Sequence, residues 1–323
     1  MIHRRSFLAT AAVVAATGPA AAQERFPARP LRIVIPFATG GSTDILARLC
    51  AQILTERLGQ NVVAENVTGA GGTIGAQRVL EAPADGYTLM AGTPGPITIN
   101  PHLQPRLSYA PLRDFEPVVF VGASPAVVTV RRDSPLRNVA DLLAAARATP
   151  GRLTYGSAGV GSFAHLSGEL FKWRGGVDIT HVPYRGTTPA ATDLMGGRLD
   201  VMFENFPSVQ SQISAGDLRV LAIGASRRSD LLPGVPTVAE AGVQGYESTS
   251  WFGLFVRTGT PAAATEAVNA SVNAALREPA VPARLASLGI DPAGGTPAQF
   301  REFLVRKLDE TGELSRAARI TVE

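Results

Sequence analysis

Strand-like runs and helical spacings alternate along this chain until about residue 250, and then the strands all but stop. The first series reads as strands Leu31–Pro36, Asn61–Glu65, Tyr87–Ala91 and Phe115–Gly122, with helices Asp44–Leu58 and Gly72–Ala82 between them. A second series sets strands Ala126–Val130, Leu153–Ser157, Ile179–Val182, Leu199–Phe203 and Leu218–Ile223 against helices Val139–Ala148, Ser162–Trp173, Pro189–Met195 and Ser208–Ala215. One further strand, Ser250–Val256, precedes helices Pro261–Leu276, Val281–Leu288 and Pro297–Leu308. Alternation of this kind predicts α/β architecture, with mostly parallel sheets covered by helices on both faces. A chain of 323 residues exceeds one ordinary core and implies two units. Helices without strands cannot build an α/β unit of their own and pack most economically onto the first sheet. The expected division is therefore 23–124 plus 250–323 for one lobe and 125–249 for the other, with crossings near Ala123–Ala126 and Ser248–Gly253.

The first residues read as an address. Arg4-Arg5-Ser6-Phe7-Leu8, an apolar alanine-rich run and Pro19-Ala-Ala-Ala-Gln23 have the form of a twin-arginine export signal. The apolar run is too short for a permanent membrane span. Cleavage after Ala22 leaves a nearly neutral mature chain in the periplasm, which excludes a nucleic-acid partner. Cys50, the single cysteine, falls on the apolar stripe Ile45, Leu46, Leu49, Ile53 and Leu54 and reads as a buried thiol.

Three glycine-rich loops each follow a strand and open a helix: Thr39–Asp44, Asn66–Gly75 and Tyr155–Ser162. In the first, Gly40 and Gly41 allow a sharp turn and close approach of a guest. Ser42, Thr43 and Asp44 then start the helix. Unpaired N–H groups in a first helical turn attract anions. Such loops form a cradle for a small anion without lysine or arginine in it. Nucleotide signatures fail: Gly69 and Gly71 fit a dinucleotide fingerprint but Ile74 takes the sixth place, and no Gly-Lys-Ser/Thr exists. A serine-hydrolase elbow is also missing, since Gly156-Ser-Ala-Gly159 is one residue short. No His-x3-His or Cys-x2-Cys pair exists, so neither a metal nor a cofactor is expected.

Single side chains leave alternatives open. His165 lies one turn after Ser162, as a base or cleft-lining donor or as a locally packed histidine. Arg185, in the loop His181–Pro189, pairs a carboxylate bidentately or sits in a surface ion pair. Glu204 ends the strand Leu199–Phe203 and either faces the cleft or caps the next helix.

These stretches, taken together, resemble the Bug-type receptors, the extracytoplasmic solute-binding proteins of tripartite tricarboxylate transporters. The matching motifs are Pro36-Phe-x-x-Gly-Gly-x-x-Asp-x-x-Ala-Arg48, Glu65-Asn-x-x-Gly-Ala-Gly-Gly-x-x-Gly75 and Pro83-Ala-Asp-Gly-Tyr-Thr-Leu89. Tyr155-Gly-Ser-Ala-Gly-x-Gly-Ser162 with His165-Leu166, His181-Val-Pro-Tyr-Arg-Gly186, Pro233-x-Val-Pro-Thr-Val-Ala-Glu-Ala-Gly242 and Trp251-Phe-Gly253 follow in order. The resemblance implies a two-lobed Venus flytrap of type II periplasmic-binding-protein topology that holds a small organic mono- or dicarboxylate between its lobes. It implies ligand contacts from Phe37, Thr39, Gly40, Ser42, Thr43, Asp44, Gly71 and Gly72 in the first lobe. In the second lobe it implies Ser157, Ala158, Gly161, Ser162, His165, Tyr184 and Arg185. Thr93 and Glu204 complete the candidates, although the loop Gly92-Thr-Pro-Gly-Pro96 departs from the hydroxyl-rich version expected there. The function expected is a monomeric periplasmic receptor that passes its ligand to a membrane transporter. Its rivals are an enzyme acting on a small acid through Ser162, His165 or Arg185, and a ligand-sensing input subunit of a two-component system.

Overall fold

The computed structural model describes residues 26–320 of the chain. The leader read at 1–22 lies outside them. β1 (Leu31–Ile35) turns through Gly40 and Gly41 into α1 (Ser42–Leu58), and β2 (Val62–Asn66) follows. A tight 3-10 turn at Ala70–Gly72 opens α2 (Thr73–Leu80), which leads to β3 (Thr88–Gly92). A π-turn at Gly95–Ile99 and two single-turn helices, α3 (Asn100–Leu103) and α4 (Pro111–Asp114), precede β4 (Phe115–Arg131). The middle of the chain then runs α5 (Val139–Ala148), β5 (Thr154–Ser157), α6 (Phe163–Gly175), β6 (Thr180–Pro183), α7 (Thr187–Met195), β7 (Val201–Asn205), α8 (Phe206–Ala215) and β8 (Leu218–Ile223). β9 (Thr249–Arg257), α9 (Ala262–Leu276), α10 (Ala280–Ser287), the short β10 (Asp291–Pro292) and α11 (Pro297–Ala317) complete it.

β2, β1 and β3 pair in parallel, and β9 is inserted antiparallel between β3 and β4. The far half of β4 lies between β7 and β8, both antiparallel to it, and β7, β5 and β6 continue in parallel. One strand thus serves both lobes. The sequence pattern suggests two strands there, because Gly122 and Ser124-Pro125 look like a break. The backbone instead stays extended, and its partner changes: Pro125 is paired with Thr249 of β9, and Ala126 already with Asn205 of β7. A proline, with no N–H to give, is tolerated at such a handover.

β1 shows how local pattern becomes packing. Leu31, Ile33 and Ile35 alternate onto one face and join Val119, Val268, Val272 and Leu285 in a core, while Val34 faces Phe115, Trp251, Phe255 and Phe300 on the other side. This is the two-residue period of a strand buried on both faces. The second lobe is built around Val128, Tyr155, Phe171 and Phe203. Asn138 caps α5 by accepting the Asp141 N–H at 2.8 Å. α11 runs nine residues beyond the pattern ending at Leu308, because Thr311, Gly312 and Ser315 pack inward although they are not apolar. The outcome is the two-lobed α/β fold, with the strand ends and helix starts of both lobes facing one seam.

Candidate functional site

The seam gathers helix N-termini. Gly41 starts α1 from extended backbone, with no side-chain cap. Gly40 takes φ +86° and its N–H is held by Asp44 at 3.0 Å. The Ser42 N–H crosses the seam to Ser208 Oγ at 2.8 Å, and the Thr188 hydroxyl crosses back to the Thr39 carbonyl at 3.0 Å. The Thr43 and Asp44 N–H groups have no acceptor among the described residues. From the other lobe, Ser162 caps α6 by accepting the His165 N–H at 3.3 Å, and the Phe163 and Ala164 N–H groups are likewise free. Two first turns, one from each lobe, thereby aim unpaired amides and the positive ends of their dipoles into one space.

That space is a narrow cavity of about 30 Å³, lined by Phe37, Ala38, Gly41, Ser42, Thr43, Thr93, Ala158, Ser162, Phe163, Ala164, Thr187, Glu204, Asn205, Ser250 and Phe252. Thr93 Oγ1, Asn205 Oδ1 and Ser250 Oγ are buried there without a hydrogen-bond partner. Roomier hollows lie beside Arg227–Leu232 and between α6 and α11, but neither brings helix starts together from both lobes.

Seven of the residues singled out from sequence line this cavity: Phe37, Ser42, Thr43, Thr93, Ala158, Ser162 and Glu204. The others take supporting positions. Asp44 is buried and accepts from Gly40 N–H, Asn66 Nδ2 and Arg48 Nε at 2.9–3.0 Å. Burial works against its charge, but those partners outweigh burial and hold the carboxyl below its ordinary range. Gly71 lies against the second lobe at φ +60°, where a Cβ would run into the Val160 carbonyl oxygen; Gly72 packs on Phe37. Ser157, wholly buried, contacts His181 Nε2 at 2.7 Å. His165 Nδ1 accepts the Gly161 N–H at 3.3 Å, and its ring lies 4.3 Å from that of His181. Burial pushes both histidines down, His181 to about 3, so both stay neutral and shape the Ser157–Ser162 loop. The Tyr184 hydroxyl is given to Asp193 at 2.7 Å. Thr39 and Arg185 are exposed, and Arg185 makes no ion pair among the described residues.

Sequence reasoning missed Ala38, Phe163, Ala164, Thr187, Asn205, Ser250 and Phe252, while Gly41, which also lines the cavity, was read only as part of the first turn. Thr187 stood next to Arg185 in a loop already singled out. Ser250 and Phe252 belong to a crossing strand whose apolar run reads as core alone.

Glu204 is 3% exposed. It receives the Asn205 N–H at 2.9 Å and side-chain amide at 3.2 Å, and contacts the Thr187 hydroxyl at 2.8 Å. Burial raises its carboxyl above the ordinary range, and these donors offset only part of that. Among the described residues no triad is assembled around Ser162 or His181: the Ser162 hydroxyl bonds to backbone, and no carboxylate bonds to His181. Among the described residues, no three His, Cys, Asp or Glu side chains come together as metal ligands.

A two-lobed α/β fold whose seam is floored by free amides is that of an extracytoplasmic solute receptor. Residues 46–319 match the profile of the tripartite tricarboxylate transporter family receptor, and the chain belongs to that family. BugT of Bordetella pertussis is 39% identical over 303 residues, which is 94% of this chain and 92% of that protein. The structure of Rpa4515 of R. palustris with adipate is 38% identical, with TM-score 0.89 over 92% of this chain and 99% of that one. MatC (Rpa3494) of Rhodopseudomonas palustris with bound malate is 33% identical, with TM-score 0.86 over 90% and 99%.

Proposed function

We propose that this chain is a periplasmic receptor that closes its lobes on a small organic carboxylate and delivers it to a membrane transporter of the tripartite tricarboxylate class. The observation that carries this reading is the meeting of three unpaired amides, from Thr43, Phe163 and Ala164, at one buried seam. Each hydrogen bond to a carboxylate contributes on the order of 1.5–3 kcal/mol. Three such bonds, joined by the free Thr93 and Ser250 hydroxyls, less the costs of association and closure, support micromolar or tighter binding. The adipate and malate held by two relatives support the same ligand class.

The binding groups in this reading are the cavity-lining residues, with Thr39, Gly40, Asp44, Gly71, Gly72, Ser157, Gly161 and His165 shaping their loops and Tyr184 and Arg185 flanking the seam. The lobes divide at 124/125 and 249/250, where β4 and β9 act as hinge. The chain works as a monomer, after export and cleavage near Ala22, and performs no chemistry on its ligand. Among the described residues no helix is long and apolar enough to cross a membrane, so the transporter is a separate partner.

A thermal-shift screen of organic acids tests this, because a bound guest raises the melting temperature by mass action. One or a few small carboxylates should stabilise the protein and be recovered unchanged. Stabilisation by neutral sugars or cations alone, or conversion of the acid, would overturn the reading.

A further inference from the structure

Glu204 is the one ionisable side chain among the residues lining the seam cavity. None of its hydrogen-bond partners is a cation. Its polar neighbours on that wall, Asn205 and Ser250, carry no charge. Asn205 gives its side-chain amide to Glu204 and leaves Oδ1 buried and unpartnered, and Ser250 Oγ is buried without a partner. The sheet brings these together, since Ser250 pairs with Ser124 on β4 and, two residues on, Ala126 pairs with Asn205. One part of the cavity, at the first turns of α1 and α6, is therefore rich in donors. The wall by the crossing strands carries a buried carboxyl with no cation beside it, an unpartnered amide oxygen and a free hydroxyl.

The geometry points to Glu204 as a specificity-determining residue: the guest carries one carboxylate and, a few atoms away, an ammonium or hydroxyl that faces Glu204, and a second ionised carboxylate there is rejected. This rests on the carboxylate-receptor reading. The physical argument is charge balance in a closed, poorly solvated space. A buried carboxylate is costly unless paired, and an ammonium supplies the pair. A hydroxyl supplies a hydrogen bond without charge. A second carboxylate creates a like-charge contact, and one of the two groups must take up a proton before closure.

Titration calorimetry on the mature protein decides it, with guests matched in length: γ-aminobutyrate and γ-hydroxybutyrate against glutarate, and β-alanine against succinate. Adipate, the guest of one relative, belongs in the panel. The expected result is that the amino or hydroxy acid binds roughly tenfold or more tightly than the dicarboxylate of its length. Glu204→Gln, which keeps the shape and removes the charge, should shrink that ratio by a similar factor, chiefly by improving the dicarboxylates. Tighter dicarboxylate binding by the unaltered protein overturns the proposal, as does an unchanged ratio in a folded Glu204→Gln. The comparison in the unaltered protein does not require the variant to fold. If neither kind of acid binds while another class of solute does, the carboxylate reading itself falls.

Discussion

Asp44 and Glu204 are buried carboxyls that approach the same seam from opposite lobes, each 3% exposed. Asp44 has its own cation: Arg48, one turn on along α1, contacts Asp44 Oδ1 at 2.9–3.0 Å and also reaches Asn66. With the Gly40 N–H and the Asn66 amide added, its charge is spent on holding the first loop in shape, and it stays out of the cavity lining. Glu204 has only neutral donors and does line the cavity. Burial therefore wins at Glu204 and loses at Asp44. The difference teaches that the two lobes are not equivalent jaws. One presents a loop locked around an internally balanced carboxylate, and the other presents a buried carboxyl with no cation of its own.

Separating the lobes breaks the comparison most severely, since neither carboxyl meets a guest in an open molecule. Gly71 sits at φ +60° with the Val160 carbonyl directly where a side chain would begin. Gly71→Ala should hold the seam apart and weaken binding of the cognate acid on the order of 10- to 100-fold. Calorimetry checks the affinity and small-angle scattering the opening. Unchanged affinity would show that binding does not need the lobes this close.

Stability measurements sharpen the contrast next. Asp44→Ala strands the Gly40 N–H, the Asn66 amide and Arg48 together, and should cost about 2 kcal/mol in denaturant unfolding, the pair being half open to water at Arg48. Glu204→Gln keeps acceptor and donor capacity toward Asn205 and Thr187 and should cost less than about 1 kcal/mol. Equal losses would mean that Glu204 is as structural as Asp44.

Much of this was legible in the residues, and what was not has physical reasons. The alternating strand and helix pattern and the glycine loops placed Ser42, Thr43 and Ser162 at helix starts, where the structure has them, because turn chemistry and capping are local. The long β4 escaped because strand breaks were inferred from Gly122 and Pro125, whereas the change of partner at Pro125 is a tertiary event. Ser250 and Asn205 escaped for the same reason: the wall they form exists only once β9, β4 and β7 lie side by side. Of the two readings of Glu204 the structure has it facing the cavity; it does not cap α8, whose N-cap is Asn205 without a side-chain cap bond, and only accepts that residue's own N–H. Nothing in the spacing of His165 and His181 revealed that their rings would pack together, 4.3 Å apart and tilted.

That histidine pair gives the second lobe its own response to acid. His181 is pushed down from 6.5 to about 3 by burial first, then by the His165 and Lys172 charges. Its contribution to stability is present above pH 6.5 and is lost as pH falls from 6.5 toward 3, because the unfolded chain takes up the proton first. Asp44, also lowered, contributes above its unfolded value of 3.8 and loses that only below it. Glu204, raised, has the opposite sign: it favours the fold at low pH and loses that as pH rises through its folded value. Between pH 6.5 and 5 the two lowered histidines should dominate, His181 with a loss of about 1 kcal/mol after discounting for its partial exposure. His181→Asn should flatten the melting curve against pH in that window, while Asp44→Asn should leave the window unchanged. If His181→Asn keeps the full slope, the titrating group lies elsewhere.

Arg185 offers the smallest effect and the finest test of where binding charge comes from. Beside it, Gly186 packs against Ala38 of the first-lobe loop, so the arginine stands next to the seam. Its side chain is exposed and outside the cavity lining. A guanidinium in water, outside the cavity, attracts an anion weakly and is screened over roughly 8–10 Å at physiological salt. Arg185→Ala should therefore lower affinity by no more than about twofold, with the loss confined to the association rate and fading as salt is raised. Stopped-flow binding at two ionic strengths resolves this. A larger loss that persists at high salt and appears in the dissociation rate would mean that Arg185 reaches the bound acid. The amides of α1 and α6 would then share the grip with a cation, and the asymmetry between the lobes would extend to their side of the ligand as well.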